Sequence, residues 1–197
     1  MTDRLDFTGD DEADRLLVSS PLALLIGFAL DQQVPVQKAF SGPLELKRRL
    51  GTLDASEIAA IDLDALAATF SQRPALHRFP AAMAGRVHAL AEVIARDFGG
   101  DAARLWTDAA DGRDLERRIA ALPGFGPMKV RSLIAVLAKR LGLDLPGLRE
   151  VMPDHPTLGD VDSAQALADY QAAKRAHKAA SRAIPEPGVR RAPRQRG

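Results

Sequence analysis

The stretch Leu115-Glu-Arg-Arg-Ile-Ala-Ala-Leu-Pro-Gly-Phe-Gly-Pro-Met-Lys-Val-Arg131 decides how this chain folds. It reads as a helix, a break at Leu122-Pro123-Gly124-Phe125-Gly126, and a second helix opened by Pro127 and predicted to run to about Leu141. Two glycines flanking one apolar residue let the chain reverse with positive φ and leave its backbone bare. The second helix then presents its free N–H groups and positive dipole end at the turn, which makes an anion site suited to phosphate. Phe125 is expected to plug the hairpin inward, while Lys129 and Arg131 add charge beside the amides. Spacing alone fits a plain turn between two packed helices equally well.

Outward from the hairpin, helices follow one another. Ser20-Pro21 is a hydroxyl N-cap with proline at the first helical position, and the helix it opens ends near Gln32-Gln33. Val34-Pro35 opens a second, expected to bend at Gly42-Pro43 and stop at Gly51. Short helices are predicted at about 55–60 and 62–70, capped by Asp54 and Asp62, then a loop from Ser71 to Phe79. A long helix runs from Pro80 to about Phe98, with Met83, Val87, Leu90, Val93 and Ile94 on its buried face. Smaller helices at about 101–107 and 112–121 lead into the hairpin. Leu145 to Leu158 reads as a long connection, and a last helix at 162–182 carries Leu167, Tyr170, Ala173 and Ala176 as its inner stripe. No segment alternates in strand fashion, so an all-α fold is predicted. Its organisation is an acidic segment at 1–18, a helical domain at 19–182 and a disordered Pro/Arg-rich tail at 183–197.

Composition narrows the class further. Apolar residues make up 46% of the 197 and aromatics only 5%, so the core must be built of Ala, Leu, Val and Ile. The absence of cysteine excludes disulfides and thiolate-held iron–sulfur or zinc sites. The N-terminus lacks a signal-type apolar core, and the longest apolar run, Pro21 to Leu30, is far below the roughly 20 residues of a membrane span. The expectation is a cytoplasmic protein away from membranes. Net charge is +1, yet Leu122 to Arg149 carries a local +4 from Lys129, Arg131, Lys139, Arg140 and Arg149 against Asp144. A second +4 lies in the arginines from 182 onward.

Here the sequence resembles the HhH-GPD family, the helix-hairpin-helix superfamily of endonuclease III and the bacterial 3-methyladenine glycosylases. Leu122-Pro-Gly-Phe-Gly126 is similar to the family hairpin. Leu24-Leu-Ile-Gly-Phe-Ala-Leu-Asp-Gln-Gln-Val-Pro-Val-Gln-Lys-Ala-Phe40 is similar to its early helix ending in a Gln pair, and Gly85-Arg-Val-His-Ala-Leu90 to the helix between. The order agrees over about 22–145, and the chain looks closest to a bacterial branch without the iron–sulfur cluster.

The resemblance implies a nucleoid-associated, monomeric base-excision DNA glycosylase-like protein that binds duplex DNA and hydrolyses the N-glycosidic bond of a modified base, monofunctionally and without a cofactor. It implies DNA contacts at Gln33, Gly124, Phe125, Gly126, Lys129 and Arg131, with a K⁺ or Na⁺ ion on the backbone carbonyls of Leu122 and Gly124. Family members carry a catalytic Asp in a window that here holds Pro146, Gly147 and Leu148. Asp144 falls early and Asp154 late; these two are the alternative catalytic carboxylates, and each reads equally as a loop acid. Bifunctional relatives carry a Lys where this chain has Met128, and Lys129, about 100° further round the helix, is expected to face phosphate or solvent. The off-register carboxylate motivates an alternative, a non-catalytic lesion- or structure-binding module of the same fold. A protein-binding helical domain is a third, disfavoured by the charge at the hairpin. His77 and His88 read as ordinary residues, Trp106 and Tyr170 as core, and Phe79 as either loop or contact.

Overall fold

The computed structural model describes residues 2–183, with side chains described to Ala176. It is all-helical among the described residues, and no single helix is long and apolar enough to cross a membrane. The helices are α1 (Asp11–Ser19), α2 (Pro21–Leu30), α3 (Val36–Leu50), α4 (Ala55–Ala60), α5 (Leu63–Ser71), α6 (Pro80–Phe98), α7 (Arg104–Thr107), α8 (Gly112–Ala120), α9 (Pro127–Lys139), α10 (Leu148–Val151) and α11 (Ala164–Ala183). A 3₁₀ turn, Leu158–Asp160, precedes α11.

α2 is apolar on all sides and buried from Leu22 to Leu30, so it is the central rod of the domain. Ser20 caps it, accepting the Ala23 N–H at 3.2 Å, and Pro21 occupies the first turn at no cost in hydrogen bonds. α3 comes very close because Gly27 and Gly42 leave room. A Cβ on Gly27 would stand 2.5 Å from the Phe40 ring, and one on Gly42 2.5 Å from Leu30. α3 continues through Gly42-Pro43 as one helix, with Pro43 inside it.

The N-terminal segment is part of this core rather than an appendage. Leu5, Phe7, Ala13 and Leu17 are buried, and Phe7 meets Phe40 edge-on at 5.0 Å. The buried Asp14 carboxylate accepts the Phe7 and Thr8 N–H groups, each at 3.1 Å, so its charge answers local backbone donors. The acids of 1–18 thus cap and brace α1 while the interleaved apolar residues point inward.

α4 and α5 pack on α6, and α6 crosses α2. The loop after α5 is held from α3 by Arg49, whose guanidinium donates to the carbonyls of Thr69 (2.8 Å), Gln72 (3.0 Å) and Pro74 (2.7 Å). The C-terminal half gathers around α9, which packs on α8, α10 and the 3₁₀ turn. The connection expected from Leu145 to Leu158 contains α10, and Leu148 and Val151 on it are buried. α11 keeps only half of its expected stripe: Leu167 is buried and Tyr170 partly so, whereas Ala173 and Ala176 are exposed. Small alanine side chains reach no neighbour once the helix has passed the 3₁₀ turn. The disorder expected of the tail falls on residues 184–197, outside the described ones.

The tightest seam on α9 is at Gly159, where an added Cβ would lie 2.6 Å from the Ala135 carbonyl carbon and oxygen. Backbone cannot yield there as a side-chain tip could. Gly159→Ala is expected to cost about 1–3 kcal/mol by overpacking, read as a lower denaturation midpoint in guanidinium followed by far-UV circular dichroism.

Candidate nucleic-acid interface

The hairpin is formed by the C-terminus of α8 and the N-terminus of α9. Leu122 N–H bonds the Ile119 carbonyl at 3.1 Å, and Phe125 N–H the Leu122 carbonyl at 3.2 Å, closing a tight turn. Phe125 is buried, as a plug under that turn. The two glycines differ. Gly124 has φ +81°, and a Cβ on it would strike the Arg86 side chain at 2.6 Å, so both conformation and a close neighbour require glycine. Gly126 is in extended conformation (φ −80°) and serves as the N-cap of α9, with open space where a Cβ would be. Positive φ expected at both glycines therefore holds at Gly124 alone.

No side chain caps α9. Its first helical bond runs from Val130 N–H to the Gly126 carbonyl, so the Met128 and Lys129 amides precede the ladder and face out of the helix end. They open into a groove of about 490 Å³ lined by Gln32, Arg86, Leu122 and the residues from Gly124 to Lys129. Phe125 contributes walls to this groove but not its amide, which the Leu122 carbonyl already holds. Met128 stands at the lip, 76% exposed.

The Lys129 side chain, expected to face phosphate or solvent, is half-buried at the wall of this groove. Its stem folds back toward α2, and its ammonium donates to the Ala29 carbonyl at 3.2 Å. Burial lowers its pKa to about 8, against the opposing pull of the Asp31 carboxylate. Arg86 instead supplies the cation of the groove. It lies across Gly124 and donates to the Gln32 side-chain oxygen, linking α6, the α2–α3 turn and the hairpin. Its sequence signal is position: it flanks the apolar face of α6 between Met83 and Leu90.

The Gln pair is held by His77. That ring is buried, accepts the Phe79 N–H at Nδ1 (3.1 Å) and so carries its proton on Nε2, which donates to the Gln32 carbonyl at 3.0 Å. Read from sequence as an ordinary residue, His77 is a positioning residue for the turn. Gln33 follows in the left-handed region, φ 58°, with its side chain exposed. Phe79, 42% exposed, lies beside His77, its ring 6.0 Å away, with the Arg78 guanidinium 4.8 Å from the ring centre.

The remaining residues lie elsewhere. Arg131 is exposed and lines a neighbouring cleft of about 650 Å³ with Arg113, Glu116, Glu150 and Asp154. Asp154 is fully exposed; the His155 ring within hydrogen-bond reach, at 3.2 Å, holds its carboxyl below the usual range, with a smaller contribution from Arg131. Asp144 lines a different cleft with Ala138, Lys139 and Arg149, at the far end of α9. At 1.5 Å per residue that end is roughly 18 Å from Pro127. The structure thus brings Gln32, Gly124, Gly126 and Lys129 together, sets Arg131 and Asp154 on one cleft, and leaves Asp144 away from both. Among the described residues no group of three His, Asp or Glu side chains is placed to hold a metal ion. Comparison of the chain with known protein families, with curated proteins and with solved structures finds no match.

Two titrations test this geometry. Burial lowers the folded pKa of His77 below 6.5, so the unfolded chain binds the extra proton. Stability is expected in full above pH 6.5 and to fall as pH drops from there towards the folded pKa, a slope that flattens in His77→Gln. For Lys129, an NMR titration of its side-chain carbon should give a midpoint near 8, and a value above 10 would show the amine in water.

Proposed function

We propose that this chain is a DNA-binding protein of the helix-hairpin-helix glycosylase type, acting in base excision repair. The observation that carries the reading is the uncapped N-terminus of α9, opening beside the bare Gly124 and Gly126 backbone into a groove that holds the Arg86 guanidinium. Free amides, a positive dipole end and a planar cation converging on one small groove match a phosphate of duplex DNA. Lys129 supports the grip through its amide, while its ammonium braces the wall. Carbonyls of Leu122 and Gly124 could add a K⁺ or Na⁺ ion at the turn, a backbone site that needs no acidic side chain. Gln33, exposed and left-handed, is the candidate to fill the gap a flipped nucleotide leaves.

The reaction that accompanies this grip is monofunctional hydrolysis of the glycosidic bond of a modified base. Asp154 is its better candidate carboxylate: it stays ionised and shares a cleft with Arg131, in the first turns of α9. Asp144 also shares a cleft with cations, Lys139 and Arg149, but beyond the C-terminal end of α9, away from the hairpin. A second reading, recognition without excision, is favoured by one observation. Asp154 is fully exposed and lines a cleft separate from the hairpin groove, and a carboxylate in open water stabilises a developing cation weakly.

Two measurements test the proposal. Fluorescence anisotropy with a labelled duplex should show salt-sensitive binding, and Arg86→Gln should weaken it about tenfold with a salt slope shallower by about one, as one lost phosphate contact requires. A panel of duplexes with single modified bases, treated with hot alkali after incubation, reads excision. Cleavage lost in Asp154→Asn but kept in Asp144→Asn establishes the glycosylase. Binding with no cleavage on any duplex establishes the recognition module.

A further inference from the structure

Past Gln171, the described side chains of α11 stand outside the core. Ala172, Ala173, Lys174, Arg175 and Ala176 are all exposed, and the helix backbone continues to Ala183. From Gln171 to Ala183 the sequence holds Lys174, Arg175, Lys178 and Arg182, with His177 and no acid. Two contacts fix where this helix sits. Gln171 donates to Gln37 at 2.8 Å, and the Lys174 ammonium is 3.9 Å from the Asp31 carboxylate. Asp31 closes α2 and Gln37 lies in the first turn of α3, so the two contacts flank the turn that holds Gln32, a wall of the hairpin groove.

We infer that the second half of α11 is a second backbone-binding element for duplex DNA, beside the turn that joins α2 to α3; this rests on the DNA-binding reading above. Charge and side-chain size together select the partner. Apart from the cations, most residues from Ala172 to Ala183 are alanine. A membrane-surface helix needs bulky apolar residues on its other face, and a protein-docking helix needs large anchors; neither is present. Alanines let a helix come close to a phosphate strand while the long cationic stems reach it. From Lys174 to Arg182 the helix extends about 12 Å, which matches three to four base pairs at 3.4 Å each.

The test uses the full chain with Arg175, Lys178 and Arg182 all changed to Gln, which preserves helix propensity. Lys174 is kept because it pairs with Asp31. Binding to a labelled duplex is followed by anisotropy across NaCl concentrations, with far-UV circular dichroism confirming the fold. The expected result is a log–log salt slope shallower by about 2–3 and at least about tenfold weaker binding at low salt. Wild-type slope and affinity in the variant, with Arg86→Gln still weakened, would overturn this inference and leave the hairpin grip standing. Absence of salt-sensitive binding in the wild-type chain would remove both.

Discussion

The buried C-terminal end of α2 is the constraint around which the site is built. A helix end leaves its last carbonyls without intrahelical donors, and a helix buried on every side has no water to supply them. Here the donors come from far along the chain. The Asp31 and Gln32 amides satisfy Gly27, Phe28 and Leu30 locally, Lys129 reaches back from α9 to Ala29, and His77 from the α5–α6 loop donates to the Gln32 carbonyl one turn later. Satisfying one helix end therefore brings three distant segments to one place, and that place is the groove.

The same demand explains the unusual state of the groups involved. Lys129 gives up hydration to reach a carbonyl, so its ammonium is destabilised and its pKa falls. His77 must be neutral to accept from one backbone group and donate to another, and burial keeps it so. Neither group is free to meet a ligand with its side chain. The cation left over for the groove is Arg86, whose side chain passes close over Gly124 and bonds the Gln32 side-chain oxygen. Division of labour between a buried amine that braces and a guanidinium that faces outward follows from the different cost of burying the two.

The groove is also kept apart from the acids. Arg131 and Asp154 share one cleft, Asp144 another, and the hairpin amides a third. The separation favours an electropositive pocket for an anion, since a carboxylate inside it would compete with phosphate for the same donors.

Much of this was legible in the chain itself. The capping residues Ser20, Asp54 and Asp62, the prolines that open α2, α6 and α9, and the period of the apolar residues determine where helices start and which faces they bury, because these are interactions within a few residues of each other. The Pro-Gly-x-Gly break determines that α9 begins with a bare backbone end. Only tertiary structure decided that Lys129 donates to the Ala29 carbonyl, that His77 donates to the Gln32 carbonyl and that Arg86 donates to the Gln32 side chain. Each depends on a partner 45 to 100 residues away, and a helix wheel gives a direction without saying what stands there. Lys129 is the clearest instance: its angle on the wheel was read correctly, but the unsatisfied carbonyl that captures it belongs to another helix.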